Sequence, residues 1–278
     1  MQNAGIAALG LDWRYLAFDV RPEELAPAIA GAKAMRFLGL NLTVPHKLLA
    51  VPLVDCLDAT AATWGAVNTI RFEARDAAGA WRSLAESDAL PENAEIRAHG
   101  FNTDADAIVR SLREDLGVEL TGARVLLLGA GGAGRTAALK LASEGVSELW
   151  LLNRTAAKAE AVAREIRERY PAVKTEVGYA PGAVDLLLNA TSLGLQPGDE
   201  LPLETVQFKF SRAGAVYDMI YRPAETPLLA AAKAAGCRTA NGLGMLLYQG
   251  AKALEIWTGR PAPEAAMRRA LEDSVYGR

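Results

Sequence analysis

The 278-residue chain holds only two cysteines, Cys56 and Cys237, and two histidines, His46 and His99. The cysteines lie far apart, so no disulfide framework is expected. They read as two buried free thiols in a reducing setting. The histidines have no partner at metal-ligand spacing, so no zinc site is expected. No apolar run is long enough to span a bilayer. The start, MQNAGIAALGLDW, has neither the basic opening nor the long apolar core of a secretory signal. Charge of one sign is not in excess either: 30 Lys and Arg against 33 Asp and Glu give a net charge of -3. Both signs are mixed along the chain, so a nucleic-acid or anionic-membrane partner is not expected. What is present fits a cytoplasmic globular protein. The chain is 51% hydrophobic and 23% charged, and it is long enough for two modest domains.

Two styles of patterning divide it. Residues 1–104 alternate short helices and strands. A helix stub is predicted over 3–9, stopped at Gly10. A strand is predicted over 13–20, with Leu16, Phe18 and Val20 on one face, and a helix from Pro22 through Ala34. Further strands follow at 37–44 and 66–72, with a short helix opened by Pro45 between them. Residues 73–99 are polar and punctuated by Gly79 and Pro91, and read as an elongated hairpin or excursion rather than core. From Asp104 onward a βαβ series sets in. An amphipathic helix is predicted over 104–116, capped by Asp104 and closed at Gly117. Strands are predicted at 125–128, 149–153, 173–179, 185–189, 215–217 and 238–240, and a final helix over 245–257. Strands this apolar are buried on both faces, which predicts an α/β fold with a parallel, doubly wound sheet.

Within that series the strand RVLLLG runs into GAGGAG at 129–134 and then into a helical RTAALKLASEG. Gly129, Gly131 and Gly134, with Ala130, Gly132 and Ala133 between them, match a dinucleotide fingerprint. The first glycine serves the tight turn, the second the close approach of a pyrophosphate, the third the packing of helix on strand. The next strand ends LWLLNRTAAK without a carboxylate. Asn153, Arg154, Thr155 and Lys158 stand where an acid would bind ribose hydroxyls. Arg and Lys attract a 2′-phosphate and an acid would repel it, so NADP is favoured over NAD. Taken alone, Arg154 and Lys158 could also be ordinary solvated charges.

Reduction of a ketone needs a proton donor near the carbonyl oxygen. Lys47 falls in the first turn of the helix opened by Pro45, where the helix dipole disfavours its positive charge. Asp104 begins the helix that leads into the second half. In isolation each has a blander reading, a surface lysine and a helix cap. The motifs NLTVPHK (41–47), GAVNT (65–69), GFNTDADA (100–107), the glycine loop, NRT, NATS, DMIYRPAETPLL and NGLGMLLYQGA occur in that order. Together they make the chain resemble the NADP-dependent shikimate dehydrogenases over nearly its whole length.

The resemblance implies a Rossmann domain over 105–241, a smaller α/β substrate domain over 1–104, and C-terminal helices over 242–278 that pack back on the substrate domain. It implies reversible reduction of 3-dehydroshikimate to shikimate by NADPH, a step of aromatic amino-acid (chorismate) biosynthesis. Lys47 would be the acid/base and Asp104 its partner, which also binds substrate. Thr43 and Asn68 would hydrogen-bond the ring hydroxyls. Tyr221 and Gln249 would contact the substrate, and Met219 and Gly242 would line the nicotinamide. Ala190, Thr191 and Ser192 would border the adenosine half. Such an enzyme would act on a small molecule as a monomer or homodimer, with no metal.

Three features depart from the pattern, one of them that residues 73–99 run longer than the family's short hairpin. The family's usual first strand and its Ser-Leu-Ser-Pro turn, whose serines bind the substrate carboxylate, have no counterpart in the N-terminal region. The substrate domain is therefore expected to lack its first strand and to hold substrate weakly. The glycine that follows the family's aspartate is Ala105. A quinate/shikimate dehydrogenase is the alternative activity, and an NADP-binding relative with impaired catalysis is the alternative class.

Overall fold

The computed structural model describes residues 1–86 and 93–277. The chain divides into two compact units: Met1–Asp104 with Gln249–Ser274, and Ala105–Tyr248 with Val275–Arg278.

The first unit carries helices α1 (Gln2–Ala8) and α2 (Leu25–Ala34), strand β1 (Gly39–Asn41), helix α3 (His46–Leu49), strand β2 (Cys56–Leu57), helix α4 (Ala59–Trp64) and strands β3 (Thr69–Arg75), β4 (Trp81–Ser83) and β5 (Ile96–Phe101). Its sheet runs β1-β3-β5-β2, with β4 also paired to β3. The β1–β3, β3–β4 and β3–β5 pairs are antiparallel, and β2–β5 is parallel. One sheet face is covered by Leu25, Ile29 and Ala32 of α2 and by Ala61 of α4, which enclose Ile70, Phe72, Ala74 and Ala98. Trp257, from the chain's later return to this unit, donates its indole N–H to the Ile70 carbonyl at 2.9 Å.

Three expectations need correction here. Residues 13–20 form no strand. Leu16 and Phe18 stand 66% and 61% exposed, and the Tyr15 backbone bonds to the Asn3 side chain rather than to a neighbouring strand. Apolar alternation alone does not make a strand; the ladder needs a partner, and this segment has none among the described residues. The stretch 73–99 does contain a hairpin, β3 to β4, but it is core rather than excursion: it completes β3, adds β4 and supplies β5, and its Glu73, Ala74 and Ala98 are buried. Pro91 lies outside the described residues. The cysteines are half-buried rather than buried.

The second unit follows with α5 (Asp104–Glu114), β6 (Arg124–Leu128), α6 (Gly132–Ser143), β7 (Glu148–Leu152), α7 (Ala156–Arg169), β8 (Lys174–Val177), β9 (Val184–Asn189), β10 (Ala213–Asp218), α8 (Pro227–Ala234) and β11 (Arg238–Asn241). The chain ends with α9 (Leu243–Thr258), which spans the helix expected over 245–257, and α10 (Glu264–Tyr276). The six strands run in the order β11-β10-β9-β6-β7-β8, and every pair is parallel. This is the doubly wound Rossmann order, with β6 and β9 at the switch point where the winding reverses. Leu126, Leu128, Leu187 and Val216 join Leu228, Leu229 and Ala232 of α8 in its core. Ligands of such sheets bind at the carboxyl ends of the strands, beside that switch point.

Candidate active site

Lys47 projects from α3, directly after Pro45, and its backbone carbonyl accepts from Val67 N–H at 2.8 Å. Its ammonium donates to Asp104 Oδ2 at 2.7 Å, with the two side chains 27% and 12% exposed. The pair is thus sheltered but reachable. Asp104 does not cap α5, contrary to expectation. It is the first residue inside the helix, its backbone N–H donates to Asn102 Oδ1 at 3.1 Å, and its carboxylate turns to Lys47.

The backbone around Asp104 is fixed by buried amides and hydroxyls. Asn102 donates to the Ala66 carbonyl at 3.1 Å. Asn68, 2% exposed, donates from Nδ2 to Thr103 Oγ1 at 2.9 Å and accepts Thr103 N–H on Oδ1 at 2.9 Å. Asn68 therefore ties β3 to the segment that carries Asp104. Thr43 is exposed in the loop after β1, and its carbonyl accepts from His46 N–H. Gln249 is half-buried in α9, and Tyr221 is 37% exposed beyond β10. Lys47 and Asp104 are in direct contact, with Asn68 one residue away through Thr103. Asn102 and Thr103 lie within GFNTDADA, but only the fold reveals what their side chains hold.

In the second unit the loop after β6 fits a dinucleotide. Gly129 has φ +103°, a conformation that a side chain would strain. A Cβ on Gly134 would overlap the Gly129 carbonyl, so only glycine lets α6 approach β6 this closely. Around Gly131 and Gly132 a Cβ would meet nothing within 4 Å, and residues 131–133 are exposed. The first turn of α6 has no side-chain cap. Its free N–H groups face that open space, as phosphate binding requires. Asn153 steadies the loop: its Oδ1 accepts Ala130 N–H at 2.9 Å, and its Nδ2 donates to the Thr155 carbonyl at 2.8 Å. Arg154, Thr155 and Lys158 are exposed beyond β7, and among the described residues neither cationic side chain has an ion-pair partner. An NADP molecule, with two linked phosphates and a 2′-phosphate, suits this donor set.

Across the switch point Ala190 and Thr191 wall the same loop. A Cβ on Gly129 would lie 2.9 Å from the Ala190 carbonyl and 3.0 Å from Thr191 Cγ2. Met219 and Gly242 also touch: a Cβ on Gly242 would overlap the Met219 carbonyl. Beneath these turns lie Asn189 and Asp218, both fully buried, which were not singled out from the sequence. A polar residue closing each apolar run, LLLN and AVYD, was the available signal.

Comparison with known proteins adds three family matches along the chain. They are the shikimate dehydrogenase substrate binding domain over residues 1–70, shikimate / quinate 5-dehydrogenase over 111–193, and the shikimate 5'-dehydrogenase C-terminal domain over 242–272. A shikimate dehydrogenase (NADP(+)) of Geobacter metallireducens is 40% identical over 97% of this chain and 89% of its own length. A shikimate dehydrogenase solved in complex with NADP+ is 36% identical, with a TM-score of 0.82 over 98% of this chain and 89% of that one. The ligand-free 5-ketofructose reductase of Gluconobacter sp. strain CHM43 is 35% identical, with a TM-score of 0.79 over 98% of this chain and 92% of that one.

Proposed function

The chain belongs to the shikimate dehydrogenase family, and from that membership we infer that it catalyses the NADP-dependent, reversible reduction of 3-dehydroshikimate to shikimate. It is an oxidoreductase acting on a CH–OH group, at a step of aromatic amino-acid (chorismate) biosynthesis. The observation that carries the chemistry is the sheltered 2.7 Å pair of Lys47 and Asp104.

Lys47 is the proton donor to the ketone oxygen during reduction and the acceptor during oxidation. Asp104 orients the ammonium and accepts a hydrogen bond from the substrate hydroxyl. Thr43 and Gln249 bind the substrate, and Asn68 positions Asp104 while offering the ring a remaining amide hydrogen. NADPH, when bound, supplies the hydride. Gly129–Gly134 and the open turn of α6 would hold its pyrophosphate, Asn153, Arg154, Thr155 and Lys158 its adenosine 2′-phosphate side, Ala190 and Thr191 the adjoining wall, and Met219 and Gly242 the nicotinamide. The first unit is the substrate domain and the second the cofactor domain. Two free thiols suit a reducing compartment such as the cytoplasm. No helix among the described residues is long and apolar enough to cross a membrane.

Lys47→Ala tests the assignment. Turnover with shikimate and NADP+ is expected to fall at least about hundredfold, the lower range for losing a general acid/base, while NADP+ affinity stays at the parent value. Retained turnover would remove Lys47 from the chemistry. Parallel assays with quinate and 5-ketofructose settle the substrate: faster turnover of either would overturn the shikimate assignment.

A further inference from the structure

At the carboxyl ends of β9 and β10 the residues Asn189 and Asp218 are register partners, and both are fully buried. Asp218 Oδ1 accepts from Asn189 Nδ2 at 2.9 Å and from Ile220 N–H at 3.1 Å. Oδ2 accepts from Thr226 Oγ1 at 2.6 Å. Each donor controls a different piece of chain. Asn189 Oδ1 in turn accepts both the backbone N–H and the hydroxyl of Thr191, at 3.0 and 2.8 Å. Ile220 fixes the turn that carries Met219. Thr226, 1% exposed, caps α8 by accepting Leu229 N–H at 3.3 Å.

No Lys, Arg or His among the described residues lies within ion-pair distance of this carboxylate. Burial pushes the Asp218 carboxyl up, and the hydrogen bonds from Thr226, Ile220 and Asn189 offset that only in part. A buried acid without a cation disfavours the fold, so stability alone does not account for an acid here. Its position does: Thr191 and Ala190 wall the glycine loop, and the Met219 carbonyl abuts Gly242.

We propose that Asp218 is a positioning residue for the dinucleotide, its buried carboxylate holding the Thr191 turn and the Met219 turn in fixed register at the ends of β9 and β10. The proposal rests on the dehydrogenase reading for the identity of the ligand. It adds a residue that touches no cofactor yet sets two walls of the cofactor site. Asparagine in its place can keep one acceptor oxygen for Asn189 and Ile220, but it turns the Thr226 hydroxyl from donor to acceptor. The network survives with weaker bonds and no charge.

The experiment uses the full chain with Asp218→Asn, Thr226→Val and Thr226→Ser, each measured for NADPH binding by cofactor fluorescence, for KM and kcat, and for Tm. Asp218→Asn and Thr226→Val are expected to raise the NADPH Kd and KM about tenfold, the scale of one hydrogen bond to a charged group. The KM for shikimate should stay within about twofold by the same reckoning, and Thr226→Ser should bind NADPH like the parent. A merely structural Asp218 would lower Tm in Asp218→Asn while NADPH Kd per folded enzyme stayed at the parent value, and that result overturns the proposal. Should Asp218→Asn fail to fold, equal NADPH affinity in Thr226→Val and Thr226→Ser does the same. Cofactor fluorescence needs no substrate. A parent protein that binds NADPH but leaves shikimate unoxidised therefore defeats the reaction reading alone, and one that binds no NADPH defeats both.

Discussion

Arg154 stands exposed beyond β7 with no ion-pair partner among the described residues, where its guanidinium can meet a phosphate without first breaking a bond to the protein. Discrimination between NADP and NAD should therefore rest on this side chain more than on Lys158, one helical turn further along α7. Arg154→Ala is expected to raise the KM for NADP+ about tenfold or more, the loss of one charge-assisted pair of hydrogen bonds. The KM for NAD+ should be unchanged, and steady-state kinetics with both cofactors measures the ratio. An equal rise for both would move the discrimination elsewhere. Residues of this kind can be proposed from the sequence because the features that suggest them are local: a glycine loop after an apolar strand, and a basic tip on the next one. Asn68 and Asp218 were harder to read. Each acts through partners whose identity depends on chain crossing the fold: Asn68 through Thr103, 35 positions away, and Asp218 through Asn189, 29 away. Sequence spacing can suggest that such an amide or acid is special, but not what it holds.

The pairing of β3 with β5 rests on a cluster that the sequence hid inside a polar stretch. Glu73, 1% exposed, receives hydrogen bonds from Arg97 Nε at 2.6 Å and from Arg71, and contacts His99 Nδ1 at 3.0 Å. Burial pushes its carboxyl up, but the bonds from His99, Arg71 and Arg97 prevail and hold it at about 2. A carboxyl depressed in the folded state stabilises above its unfolded value and loses that contribution as pH falls through the folded one. From the usual 4.5 to about 2 the contribution is roughly 3 kcal/mol. Stability by urea titration should thus decline between about pH 4.5 and 2 in the parent protein. Glu73→Gln should be destabilised at pH 7, having left two arginines without their carboxylate, and the gap between the two proteins should narrow over that acid range. A gap that stays constant from pH 7 to 3 would show that Glu73 does not carry the charge. Polar composition reads as a hairpin or excursion outside the core, whereas ion pairing lets charged side chains share a half-buried sheet. The parallel strands of the second unit were readable for the opposite reason. Buried on both faces, they have no polar face to blur the pattern, and β6, β9 and β10 appear within about two residues of their predicted bounds. Residues 13–20 show the remaining limit: their alternation is genuine, and only a neighbouring strand could have turned it into a ladder.

At the scale of the whole chain, each unit buries hydrophobic core of its own among the described residues. The first buries Ile70 and Phe72, and the second Leu126 and Leu187. A ligand that binds only the native state of one unit stabilises that unit by mass action, and amides that exchange through its opening slow in proportion. NADP+ at a hundred times its Kd should contribute about 2.7 kcal/mol, close to a hundredfold slowing. The protected amides should include residues 126–135 around the glycine loop and 186–191 at the end of β9. Shikimate alone should instead slow exchange in residues 66–72 and 98–104, the strands and turn that hold Lys47 and Asp104 in place. Hydrogen exchange read by mass spectrometry, with each ligand separately and then together, distinguishes the two footprints. The result tests the proposed division of labour between the units rather than any single side chain. Conservative changes at Lys47 should therefore leave the NADP+ footprint intact, while Arg154→Ala should shrink it at equal ligand concentration. An NADP+ footprint confined to residues 1–104 would reverse the assignment of cofactor and substrate to the two units, whatever the kinetics of the individual variants.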